Sequence, residues 1–169
     1  MLIYALIPAR ADSKRIRNKN ILKLNNKNLI QISVEQALKT REIDKVFVST
    51  DSKKYQKISI AAGALAPYLR SKKISKDYST DLECFQDFLY QLKKRKIKIP
   101  NIIVHLRATY PIRETGLISK CIRKFIKLKN KADSLRTIFR LKENIQKMWL
   151  LDKKNMIYNP ITKNTEQHS

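Results

Sequence analysis

Only two glycines, Gly63 and Gly116, occur in the 169 residues of this chain. A Walker A loop or a G-x-G-x-x-G turn needs several glycines to bring backbone amides up to phosphate, so P-loop kinases and dinucleotide dehydrogenases are excluded. Cysteine is as scarce: Cys84 and Cys121 lack C-x-x-C spacing, which indicates neither a disulfide framework nor a zinc site. Both read as half-buried small apolar residues. With His105 and His168 the sole histidines, a His-rich metal centre is excluded too. No window reaches the ~18 uninterrupted apolar residues of a membrane-spanning helix. The start, Met1 to Pro8, has no basic segment before it and no small-residue cleavage site after it, so it does not read as a signal peptide and a cytoplasmic setting is expected.

Acidic residues are the last shortage. Against 14 Asp+Glu stand 37 Lys+Arg, a formal net charge of +23. Clustered cations gain affinity for phosphate polymers by releasing counterions. Here the bases are spread through almost every segment and no aromatic residues are interleaved as stacking platforms, a pattern that fits solvated Lys-rich faces better than a dedicated polymer groove. Weak, nonspecific nucleic-acid binding is the expectation.

The length suits one domain, 1–169. Residues 2–7, LIYALI, are a short apolar run ended by Pro8, suited to a buried parallel strand. Ala9 to Asn28 is a long polar stretch without periodicity, and loops of that length inside compact domains are usually functional. A helix over 29–40, a strand over 45–50, a helix over 52–62 capped from Ser49-Thr50-Asp51, and a third strand over 64–69 follow from the pattern. Gly63 suits the left-handed position after the second helix. Polar groups at Asp77 to Thr80 precede a helix over 81–95. A strand over 101–106, a helix over 115–129 and later strands over 132–141 and 147–151 complete the reading. Strands alternating with helices imply an α/β, Rossmann-like three-layer domain with a mainly parallel sheet. Its ligands belong beyond the carboxyl ends of the strands. The segments 9–28, Ser49 to Asp51, Arg70 and 107–113 all start where an expected strand ends, so they converge on one rim. Asp12 and Asp51 are the acidic residues expected there, Asp51 more as a helix cap than as a metal ligand.

Arg10, Lys14, Arg15, Arg17 and Lys19 place five cations within ten residues directly after a strand. Fixed charges of this kind neutralise a triphosphate and its leaving pyrophosphate, Arg clamping oxygens bidentately and Lys acting as a point charge. His105, inside a strand, reads as a half-buried hydrogen-bonded histidine, Met148 and Trp149 as packing residues, and His168 as part of a polar tail.

The order of residues in this loop resembles the N-terminal signature of the acylneuraminate cytidylyltransferases, the CMP-sialic acid synthetase family, of the form I/L-x-A-R-x-x-S-K-x-I/L-x-x-K-N-I/L. Ala9, Arg10, Ser13, Lys14, Ile16, Lys19, Asn20 and Ile21 fall in place. VFVSTD at 46–51, YLRSKKISKDYST at 68–80, LRATYPIR at 106–113, ADSLRTI at 132–138 and QKMWLLD at 146–152 resemble further family segments in the same order.

The resemblance implies transfer of CMP from CTP to a sialic-acid-like sugar acid, with release of pyrophosphate and with Mg²⁺ as cofactor. It implies that Arg10, Ser13, Lys14 and Lys19 hold the triphosphate, with Arg10, Lys14 and Lys19 the catalytic cations. Asn20 would contact nucleotide, Arg70 and Ser79 would define the cytidine pocket, and Arg107 and Thr109 would lie near the sugar. Two departures stand out: Asp12 replaces a small or neutral residue, and Arg107 replaces glutamine. The chain also stops at Ser169, ahead of the family's later segment with its NGxIY pattern, its Mg²⁺-binding aspartates and its dimerisation role, so a C-terminally shortened domain is expected, with metal ligands unknown and a homodimer dependent on that segment. A CMP-Kdo-type enzyme, an inactive fragment and a basic non-catalytic nucleic-acid-binding domain are the competing readings.

Overall fold

The computed structural model describes residues 1–11, 13, 16–128, 131–138, 149–152 and 157–160, the last two stretches by their backbone. The chain forms two compact units, Met1–Asp133 and Ser134–Ser169.

At the centre of the first unit lies β1 (Ile3–Pro8). β2 (Lys23–Leu24) and β3 (Lys27–Asn28) form a small hairpin. β4 (Lys45–Ser49) and β5 (Ile102–His105) flank β1 in parallel, in the order β4-β1-β5. The register pairs Leu6 with Phe47 on one side and with His105 on the other. The helices are α1 (Leu29–Leu38), α2 (Lys53–Ala61), α3 (Asp81–Lys94) and α4 (Leu117–Lys127).

Alternation along β1 builds both interfaces of the sheet. Ala5 and Ile7 join Val46 and Val48 against Ile30, Val34 and Ala37 of α1 and Tyr55 of α2, with Ile118 of α4 packed on the same side. Tyr4 and Leu6 join Phe47 against Cys84, Phe88 and Leu92 of α3. There the Tyr4 and Phe47 rings lie 5.1 Å apart and Phe88 meets Phe47 edge-on at the same distance. The expected three layers, helix on sheet on helix, are present. A strand buried on both faces reads as a continuous apolar run, which is why LIYALI was legible.

Four local expectations need correction. Residues 64–69 do not form a strand: Leu65 makes one parallel bridge to Phe47, after which Pro67 offers no donor and the Ala66 carbonyl accepts instead from Gln56 Nε2 at 2.7 Å. Residues 132–138 form no strand and are mostly exposed, Ile138 at 90%, so no described residue buries the face that a strand needs; 139–141 lie outside the described residues. The cap of α2 is Ser52, whose Oγ accepts from Tyr55 N, and Asp51 is used elsewhere. The stretch 9–28 carries regular structure: a 3-10 turn at Lys19–Ile21 and the β2–β3 hairpin. That hairpin closes through Asn25 and Asn26 at φ of 48° and 65°, the left-handed pair that a two-residue turn requires and asparagine tolerates. Gly63, at φ 94°, takes the expected left-handed position after α2.

In the second unit, β6 (Trp149–Asp152) and β7 (Ile157–Pro160) pair antiparallel. Met148, His168 and the Trp149 side chain lie outside the described residues. Among the described residues no helix is long and apolar enough to cross a membrane.

Candidate active site

A cleft of about 380 Å³ opens beyond the carboxyl ends of β1 and β5. Arg10 and Lys19 line it from the first loop, Arg70 and Ser79 from the segment before α3, and Arg107 and Thr109 from the turn after β5.

Three hydrogen bonds fold the first loop back onto the sheet. Asp51 Oδ1 accepts from Ala11 N at 2.8 Å, Asn20 Nδ2 donates to the Arg10 carbonyl at 2.9 Å, and the Tyr55 hydroxyl donates to Asn18 Oδ1 at 3.2 Å. Asn20 is buried, so it works as a brace joining the two ends of the loop. Burial, and secondarily the Asp51 charge, pushes the Tyr55 phenol above its ordinary range, so it remains a neutral donor at physiological pH. The brace explains how Arg10 and Lys19, nine positions apart, reach one cleft. Ser13 is half-buried and is not among the residues that line it. Lys14, Arg15 and Asp12 lie outside the described residues.

Arg70 forms the deepest cationic part of the wall, 6% exposed. Its backbone N donates to the Thr50 carbonyl at 2.7 Å, its Nε to Ser75 Oγ at 3.1 Å and one terminal nitrogen to Cys84 Sγ at 3.2 Å. Neither of those side-chain partners is a carboxylate. Nearby, burial pushes the Tyr68 phenol well above its ordinary range, with Asp87 and Cys84 adding to the rise and Ser49 and Arg70 opposing it. Ser79 closes a turn in which its Oγ accepts from Lys76 N at 3.0 Å. Thr80 then caps α3 in a reciprocal box with Glu83, which fixes the start of that helix at the cleft edge.

The opposite wall is held by Arg113. Its guanidinium lies over the Tyr110 ring at 5.7 Å, donates to the Arg107 carbonyl at 2.9 Å and donates to Gln36 Oε1 on α1. Gln36 Nε2 in turn donates to the Pro111 carbonyl at 2.7 Å. His105, also in the lining, meets the Phe85 ring edge-on at 5.1 Å.

The sequence reading missed the cleft's carboxylates. Asp77 pairs with Arg10 at 2.6 Å, and Asp81 pairs with Arg107. Asp51, expected on the rim, instead ties down Ala11. The signal was the polar run before α3, which reads as capping groups until the fold turns that end of the helix toward two arginines. Five cations, Arg10, Lys19, Arg70, Lys76 and Arg107, face these two carboxylates in the lining, so the cleft favours a polyanion.

A parallel sheet with helices on both faces and a cationic cleft at its carboxyl edge defines an α/β protein whose ligand site lies beyond the strand ends. The fold matches a solved CMP:2-keto-3-deoxy-manno-octonic acid synthetase complexed with CTP at a TM-score of 0.64, with 19% identity over 77% of this chain and 49% of that one. Residues 4–155 match the family described as Cytidylyltransferase; the chain belongs to that family. It is 32% identical over 153 residues to the pseudaminic acid cytidylyltransferase of Campylobacter jejuni, covering 90% of this chain and 65% of that protein. It is 33% identical over 122 residues to the CMP-N,N'-diacetyllegionaminic acid synthase of Legionella pneumophila, covering 72% and 52%. The chain thus spans about half to two thirds of the length of these curated relatives.

Proposed function

We propose that the chain binds CTP in this cleft and transfers its CMP group to a sialic-acid-like, nine-carbon sugar acid, releasing pyrophosphate, in a cytoplasmic setting where CTP is available. The observation that carries the reading is the convergence of Arg10, Lys19, Arg70 and Arg107, from three separate segments, on one cleft in a cytidylyltransferase-family chain. Relatives named for pseudaminic and legionaminic acids support the substrate class.

In the proposed reaction a sugar hydroxyl oxygen forms a bond to the α-phosphorus, the bond from that phosphorus to the pyrophosphate oxygen breaks in line, and the hydroxyl proton passes to solvent. Charge builds on the departing pyrophosphate, where Arg10 and Lys19 neutralise it. Arg70 and Ser79, in the inner wall, hold the cytidine end, and Arg107 and Thr109 face the sugar. The braces through Asn20, Asp51 and Arg113 fix the geometry before substrate arrives, which lowers the entropy cost of an in-line arrangement.

Mg²⁺ is the cofactor expected for such chemistry, where it would be held by one or two carboxylates together with the substrate's phosphates. Among the described residues no group of three potential ligands comes together, and Asp77 and Asp81 already face guanidinium groups.

Titration calorimetry with CTP, CDP and CMP tests the reading. Affinity falling in that order, by tenfold or more from CTP to CMP, is expected if Arg10 and Lys19 read the outer phosphates. Equal affinities, or no binding, would show that the cleft is not a triphosphate site.

A further inference from the structure

We infer that Asp81 sets the preference of this cleft for a carboxylate-bearing second substrate, by holding the Arg107 guanidinium until the substrate's carboxylate takes its place. The inference rests on the cytidylyltransferase reading of the cleft and assigns Asp81 as a positioning residue within it.

The cleft's two ion pairs differ in a way that matters. Arg10 and Asp77 have side chains 30% and 32% exposed, whereas Arg107 and Asp81 are 59% and 46% exposed. The second pair therefore stands at the mouth, where a second substrate would approach after nucleotide fills the inner wall. A pair this exposed contributes little to stability, so its partners separate readily. Asp81 is also the first residue of α3, beyond the Thr80 cap. When Arg107 leaves it, the carboxylate still lies at the positive end of the α3 dipole, which offsets part of the lost ion pair on the protein's side.

What replaces Asp81 follows from chemistry. A guanidinium pairs with a carboxylate through two parallel hydrogen bonds, so an incoming carboxylate substitutes for Asp81 group for group, whereas an ester or a neutral sugar cannot. Little besides the Arg107 side chain needs to move, because Arg113 already anchors the Arg107 carbonyl and Gln36 anchors that of Pro111. Asp81 is thus the internal competitor against which the substrate's carboxylate is measured.

The test is calorimetric, on the full chain with CTP present, using N-acetylneuraminic acid and its methyl ester as probes. In D81N the affinity for the acid should rise three- to tenfold while that for the ester changes less than twofold, and D81E, which keeps the carboxylate, should stay near the parent. R107Q should abolish the preference for acid over ester, and adding D81N to R107Q should give no gain. Acid and ester moving together in D81N would overturn the inference in favour of a merely structural Asp81. Loss of CTP affinity in R107Q with the acid preference intact would overturn it by placing phosphate on Arg107, and so would the absence of acid binding in every variant. Failure of the cytidylyltransferase reading itself would show separately, as no CTP binding to the parent chain.

Discussion

The two ends of the central sheet use polar residues in opposite ways. At the amino end of β1, Asp44 Oδ2 accepts from Ile3 N at 2.7 Å and Asn101 Oδ1 accepts from Leu2 N at 2.7 Å, while the Asp44 and Asn101 amides donate back to the Ile3 and Leu2 carbonyls. Those side chains finish the backbone bonding of three adjacent strands. At the carboxyl end the carboxylates of Asp77 and Asp81 meet arginine side chains across a cleft, contacts that an incoming anion can replace. At the amino end the polar side chains bond to backbone and hold the fold; at the carboxyl end they bond to opposite charge in the cleft proposed to take a ligand.

The sharpest way to separate the two ends is to remove one group from each. Arg10→Ala and Lys19→Ala should each weaken CTP binding by ~1.5–3 kcal/mol, the range for hydrogen bonds to charged groups, with little change in folding stability because the Arg10–Asp77 pair is half-exposed. Calorimetry and urea denaturation on the same samples measure both quantities. Asp44→Ala should do the reverse. It leaves the Ile3 amide without its acceptor and should cost ~1–3 kcal/mol of stability, read as a lower denaturation midpoint, with CTP affinity unchanged.

A smaller effect sharpens the comparison at a third place. Hydrogen bonds from the Ser119 hydroxyl and then from Arg123, both on α4, hold the Glu42 carboxyl below its ordinary range. The stability this contributes is fully present above the ordinary carboxylate pKa and is lost as pH falls through the depressed folded-state value. Thermal denaturation from pH 7 down to pH 3 should therefore show a steeper acid decline in the parent than in E42Q, by ~0.2–1 kcal/mol, and CTP binding at neutral pH should be the same in both. Lys96→Ala, on the exposed turn after α3, should change neither quantity measurably; an effect on CTP as large as that of Lys19→Ala would reduce the cleft to diffuse surface charge.

Much of this was legible in the residues, for identifiable reasons. β1, β4 and β5 declared themselves as short apolar runs because both faces of the sheet are covered, and the helices by apolar spacing with polar caps. The rim residues Arg10, Lys19, Arg70 and Arg107 were legible because each follows a strand or an extended segment alongside one. Asp77 and Asp81 were not, since the same residue types serve as helix-start signals whether or not an arginine from another segment faces them. The extra strand expected at 64–69 failed on one residue, Pro67, within a segment that still runs beside β4 for one bridge. Asn25-Asn26 carried a hairpin signal that the surrounding lysines and asparagines obscured.

Thermal denaturation of the full chain with CTP, UTP, ATP and GTP at equal concentration tests the central claim, that this cleft reads both a cytosine base and a triphosphate. A ligand at about 100 times its Kd stabilises the native state by ~2.7 kcal/mol, roughly 5–10 °C in Tm for a chain of this size. A shift of that order is expected with CTP, and clearly smaller shifts with the other three. Equal shifts with all four would reduce the site to charge alone, and no shift with CTP would contradict it outright.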